Sequence, residues 1–138
     1  MTQASAYIDI PASADTVWKL IGGFNSLPDW LPFIPKSELS EGGRVRSLQT
    51  PDGDVIIERL EAFDNTARWY SYSITQAPFA VTGYRATLRV EPLGNEESAR
   101  VVWSANFTPN GITEEAAIEL FNGIFRDGLA ALRDNFPA

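Results

Sequence analysis

Between Gly83 and Glu91 apolar and polar residues alternate without a break. Tyr84, Ala86, Leu88 and Val90 fall on one face, and Arg85, Thr87, Arg89 and Glu91 on the other. A period of two is that of a β-strand with one dry and one wet face. Ala99 to Phe107 repeats the pattern with Val101, Trp103, Ala105 and Phe107 inward, and Arg68 to Thr75 does so with Tyr70, Tyr72 and Ile74. Weaker alternation predicts strands at Ala4–Ile10, Ser37–Ser40, Arg44–Thr50 and Val55–Phe63. The breaks between them are turn-forming: Glu41-Gly42-Gly43, Pro51-Asp52-Gly53-Asp54, Asp64-Asn65 and Pro92 to Glu97. Gln76 to Thr82, which holds Pro78, reads as a loop.

Helical spacing occurs in three places. Ser13 can cap a helix whose apolar face is Val17, Trp18, Leu20 and Ile21, ended by Gly22-Gly23. Leu27, Trp30 and Leu31 suggest a second short helix within Phe24–Leu31, bounded by Pro32. Thr113 caps a long one, with Glu114 and Glu115 at its positive end. Ala117, Phe121, Ile124, Gly128 and Leu132 form its stripe, widened by Ile118, Phe125, Leu129 and Phe136.

The order is therefore a strand, two short helices, about six strands and a long helix, read as one α+β domain over residues 1–138. Strands joined by short turns form an antiparallel meander. Its apolar face needs a cover, and the last helix is the element long enough to supply it. Bulky inward rings sit beside small residues, Trp103 by Ala105 and Tyr84 by Ala86. Both a gap and a filled core beneath the helix are compatible with that.

Composition narrows the chemistry. The 138 residues include no Cys and no His, so disulfides, thiolate nucleophiles, Cys/His zinc sites and histidine-based triads are excluded. No clustered Asp/Glu loop suggests a metal, and no phosphate-cradling glycine motif suggests a nucleotide; no cofactor is expected. The formal charge of −7 disfavours nucleic acid and anionic membranes as partners. Neither a signal peptide nor an apolar run of membrane-spanning length is visible, which makes the cytoplasm the default location. The sequon at Asn106-Phe107-Thr108 is taken as chance.

The segments IDIPASADTVWKLIGGFNSLPDWLP, VIIERLEAFD, RWYSYSI, YRATLRVEPL and RVVWSANFTP, in that order, resemble the START-related helix-grip (SRPBCC) superfamily, in particular its polyketide cyclase/dehydrase and lipid-transport-like branch. The resemblance spans nearly the whole chain. It implies a seven-stranded curved antiparallel sheet wrapped around a long C-terminal helix, two short helices after the first strand, and a cavity under the long helix. It does not fix a function, since members range from carriers to cyclases.

Within that frame the polar residue of most interest is Glu58, in the inward phase between Ile56 and Leu60. A carboxylate taken from water needs a partner or a proton. Arg46 is the candidate partner, and register decides it. A two-residue turn at Asp52-Gly53 sets Ser47 opposite Glu58, whereas one residue more or less brings Arg46 to the same face. Glu58 is then either a ligand anchor or acid/base, or half of a structural pair. Tyr72 and Tyr84 are candidate hydroxyl donors to a ligand; Tyr70 shares their phase, its place relative to the cavity open. Trp103, Phe107, Phe121 and Phe125 are cavity wall or core. Trp30 and Phe33 form either an entrance or a plug. Trp69 falls on the outer phase. The expected ligand-binding set is thus Trp30, Glu58, Tyr72, Tyr84, Trp103, Phe107, Phe121 and Phe125, with no residue assigned to catalysis. The expected partner is a small apolar molecule, bound by a monomer or weak homodimer. A cyclase or dehydratase, or an accessory domain with a vestigial pocket, are the alternatives.

Overall fold

The alternating segments enter one antiparallel sheet of seven strands in the order β1-β7-β6-β5-β4-β3-β2. A computed structural model describes residues 2–94 and 96–137. The strands are β1 (Thr2–Ile10), β2 (Lys36–Ser40), β3 (Val45–Gln49), β4 (Val55–Asp64), β5 (Trp69–Gln76), β6 (Val81–Pro92) and β7 (Ala99–Pro109). Helices α1 (Ala14–Ile21) and α2 (Leu27–Trp30) follow β1, and α3 (Glu114–Arg133) follows β7. This is the helix-grip architecture expected from the sequence. From β2 onward the strands are a meander, and β1 crosses to pair with β7 from Thr2↔Phe107 to Ile10↔Ala99.

The second helix and the expected Gln76–Thr82 loop differ most from the sequence expectation. The second helix is a single turn at Leu27–Trp30 and not the span Phe24–Leu31. Its start is delayed because Ser26 N and Oγ both donate to Gly23 O in a preceding turn, and Pro28 then fits the first helical positions. Gln76 continues β5. Val81 and Thr82, expected in a loop, already pair with Pro109 and Thr108.

The sheet bends where strands carry extra residues. Between β4 and β5 the register shifts twice, with Thr75 extra on β5 and Glu61 extra on β4. Between β6 and β7 the shift lies between Thr82 and Arg85. Each bulge increases the local twist and lets the sheet curl round a helix instead of lying flat.

Both longer helices start with a side-chain cap. Ser13 Oγ accepts from Thr16 N and Thr113 Oγ1 from Ala116 N, both at 3.1 Å. Such a cap is worth about 1 kcal/mol. Helix α1 is fastened by Trp18, whose Nε1 donates to Asn65 Oδ1 at 2.7 Å. Helix α3 lays Ala117, Phe121, Phe125, Leu129 and Leu132 on the sheet's inner face. It also serves the β1 edge: Ser5 N donates to Asn122 Oδ1 at 2.9 Å. At Gly128 the helix packs tightly on Trp103 and Leu31, since a Cβ there would lie 2.8 Å from Trp103 Cζ3 and 2.9 Å from Leu31 Cδ1. Among the described residues no helix is long and apolar enough to cross a membrane.

Candidate functional site

The helix and sheet do not close completely. A partly open pocket of about 290 Å³ lies between them, roughly twice the ~150 Å³ engineered cavity that holds a benzene molecule. Its floor is the inner face of the sheet: Ile56 and Glu58 of β4, Tyr72 and Ile74 of β5, Tyr84 of β6 and Trp103 of β7. Phe121, Ile124 and Phe125 of α3 form the roof. Leu27, Leu31, Phe33, Ile34 and Phe79, with the β3–β4 loop residues Thr50, Pro51 and Asp52, also line the pocket.

Of the residues singled out in the sequence, Glu58, Tyr72, Tyr84, Trp103, Phe121 and Phe125 meet in this one wall. Trp30 and Phe107 do not reach it. Trp30 is buried behind Trp103, ring centroids 5.8 Å apart, and plugs the short helices down rather than forming an entrance. Its Nε1 is buried without a hydrogen-bond partner. Phe107 fills core between Tyr84 and Phe121, at 6.2 and 4.9 Å. Phe33, its neighbour in the expected entrance, does line the pocket. Leu31, Ile34 and Phe79 were outside the sequence-derived set. Leu31 reads in the sequence only as part of the short helix's apolar face, while Ile34 and Phe79 sit in proline-bounded connections with no periodicity to reveal their direction.

The β3–β4 hairpin decides the electrostatics. Thr50 N donates to Asp54 O and Gly53 N to Thr50 O, both at 3.0 Å, enclosing a three-residue loop. Gly53 adopts φ +87° there, the left-handed position that such loops reserve for glycine. Arg46 therefore stands opposite Glu58. Its Nε donates to Glu58 Oε1 at 2.8 Å, and Nη2 lies 2.7 Å from the same oxygen. Nη1 donates to Phe24 O at 2.8 Å and to Tyr70 Oη at 3.2 Å. The guanidinium is also 4.1 Å from the Phe24 ring centre and 4.8 Å from that of Tyr72. Arg46 is 1% exposed and Glu58 6%.

Burial pushes the Glu58 carboxyl above its ordinary value, and the charge and hydrogen bonds of Arg46 offset that rise only in part. For Arg46 burial acts downward but is outweighed by Tyr70 and Glu58, so the guanidinium holds its proton more firmly than usual. The two form an ion pair. Tyr70 thus belongs to the Arg46 side and not to the pocket wall. Tyr72 Oη accepts from Trp103 Nε1 at 2.9 Å. Burial, then the neighbouring Tyr84 and Glu58, raise the Tyr72 phenol well above its ordinary value. Burial and Glu58 also raise Tyr84, with the Tyr72 hydroxyl partly offsetting them. Both phenols therefore stay neutral donors. Among the described residues no group of three Asp or Glu side chains converges to hold a metal ion.

The sequence profile of the family described as polyketide cyclase/dehydrase and lipid transport matches residues 1–137. The chain belongs to that family. No protein of curated function matches the sequence. Among solved structures, the protein XoxI from Bacillus cereus is 53% identical, with a TM-score of 0.96, 99% of this chain and 96% of that one being covered. A putative uncharacterized protein from Bacillus thuringiensis is 51% identical at TM-score 0.96, covering 97% and 98%. The ZhuI aromatase/cyclase from Streptomyces sp. R1128 shares 19% identity and a TM-score of 0.77, covering 96% and 92%. That last likeness concerns the fold alone.

Proposed function

We propose that this protein binds a small apolar or aromatic molecule, a lipid or polyketide-like metabolite, between its sheet and α3. The observation that carries the reading is the character of the wall: rings and aliphatic side chains surround about 290 Å³, interrupted in depth by Glu58, Tyr72 and Tyr84. Apolar surface supplies affinity, and a few buried polar groups set orientation. The protein acts on this reading as a monomer or weak homodimer, without a cofactor.

A second reading, a cyclase or dehydratase working in the same pocket, is favoured by one observation. A buried carboxylate and two neutral phenols share a water-poor wall, which is the equipment for moving protons on a polyketone. The carrier reading is preferred because Arg46 holds Glu58 in a buried ion pair at 2.7 Å, which ties up one of the two carboxylate oxygens that a base would use.

The test is extraction of small molecules from protein purified from its own host, followed by mass spectrometry. The expected result is one apolar metabolite near one equivalent per chain. The reading fails if nothing is retained and naphthalene, added to the protein, moves no signal of Ile74, Ile124 or Phe125 in NMR spectra.

A further inference from the structure

The charges at the pocket all have one sign. Glu58 lies in its depth and Asp52 at its rim, and among the described residues no Lys or Arg lines it. The nearest cation, Arg46, is 1% exposed and lies behind the wall. Its Nε, Nη1 and Nη2 are all engaged, with Glu58, the Phe24 carbonyl and Tyr70. Both of its contacts with Glu58 fall on Oε1, which leaves Oε2 to accept from whatever occupies the pocket. Beside it stand the hydroxyls of Tyr72 and Tyr84. An incoming carboxylate or phosphate would meet the Glu58 charge across a short, poorly screened distance, with only neutral phenols to receive it. A hydroxyl would donate to Oε2 and accept from a phenol.

We infer that the pocket selects an uncharged ligand whose apolar body ends in a hydroxyl, and rejects the carboxylate of the same shape. This rests on the binding reading above and adds a chemical class to it: alcohols and phenols, not free fatty acids or other organic anions.

Desolvation alone penalises any ion in an apolar site, so the test must separate the sign of charge from its presence. Isothermal titration calorimetry of the full chain, near neutral pH and physiological salt, compares 2-naphthol, 2-naphthoate and 2-naphthylmethylammonium, with naphthalene as the apolar reference. The expected order is naphthol tightest, the ammonium next, and naphthoate at least tenfold weaker than the ammonium. Equal binding of the two ions, or tighter binding of naphthoate, overturns the selectivity while leaving the pocket as a binding site. Binding of none of the four removes the site and the selectivity together. Glu58→Gln leaves Arg46 without its counter-charge, so in the folded variant the preference for ammonium over naphthoate should vanish or reverse. A tenfold preference that survives the substitution overturns the assignment to Glu58. The comparison of the two ions on the unmodified chain needs no variant to fold.

Discussion

Arg46 faces Glu58 across β3 and β4 because the loop joining those strands holds three residues, Pro51, Asp52 and Gly53, closed by Thr50 and Asp54. The parity of a surface loop thereby sets the polarity of a buried wall. A loop one residue shorter would bring Ser47 opposite Glu58 and turn Arg46 to the other face.

Removing one member of the pair should cost more than removing both. Arg46→Met leaves a buried carboxylate alone and is expected to lower the unfolding free energy by about 3–5 kcal/mol. Arg46→Met with Glu58→Leu should recover most of that loss in urea titrations. The single variant should also acquire a pH dependence. Without Arg46, burial alone acts on Glu58, so its folded value rises further above the unfolded one. The folded state then binds the extra proton, and stability is greatest at low pH and lost as pH rises from the unfolded value through the folded one. A single variant within about 1 kcal/mol of the parent would mean that the pair has no such role.

Gly53→Ala tests the loop itself. Its φ of +87° is strained for any residue with a Cβ, although nothing crowds the position. A loss of about 1 kcal/mol is expected, with Gly53→Asn milder because asparagine tolerates this region better. Equal midpoints in thermal melts for all three proteins would show that the loop relaxes freely.

Two glycines of α3 should respond in opposite directions. A methyl group added at Gly123 would meet nothing within 4 Å, so Gly123→Ala should gain about 1 kcal/mol from helix propensity. Gly128→Ala drives a methyl against the Trp103 ring and Leu31, and should lose about 1–3 kcal/mol. The same pair of melts reads both. A gain at Gly128 would indicate that α3 is not seated on Trp103.

High pH supplies a test of the phenols. Tyr72 and Tyr84 are raised above the ordinary tyrosine value in the fold. Their contribution is complete below about pH 10 and is lost above it, as the unfolded chain releases protons the fold retains. The loss from these two groups approaches about 2.7 kcal/mol per pH unit, and Tyr72→Phe with Tyr84→Phe should flatten the decline. Urea midpoints measured between pH 9 and 11 give the slope directly. An unchanged slope in the double variant would place those hydroxyls in water.

The strands of this fold were legible because one face is dry. Tyr84 to Val90 and Val101 to Phe107 declare their inner faces residue by residue, and all eight inward residues are buried. Periodicity stops at the face, however. It does not distinguish a residue lining a gap from one packed behind it, so Phe107 and Trp103 look alike in sequence while only Trp103 reaches the pocket. Trp30 misleads for the same reason. Phe33, Ile34 and Phe79 contribute from aperiodic connections, where direction follows from tertiary packing alone. The Arg46–Glu58 pair hung on one residue of loop length, and Pro51-Asp52-Gly53-Asp54 is compatible with either parity until the hydrogen bonds around Gly53 are known.

The pairing of β1 with β7 has a consequence in time. Thr2 lies against Phe107 and Ile10 against Ala99, so β1 emerges during synthesis long before the strand that receives it, and α3, which serves its other edge, comes later still. Until then the segment has no lasting hydrogen-bonding partner in the sheet, while β2 to β6 can assemble through neighbouring hairpins. Closing so long a loop is slow. The last event in folding should be the docking of the first strand, and a pulse of hydrogen exchange early in refolding should label the amides of Ala4 to Ile8 after those of β4 to β6 are already protected.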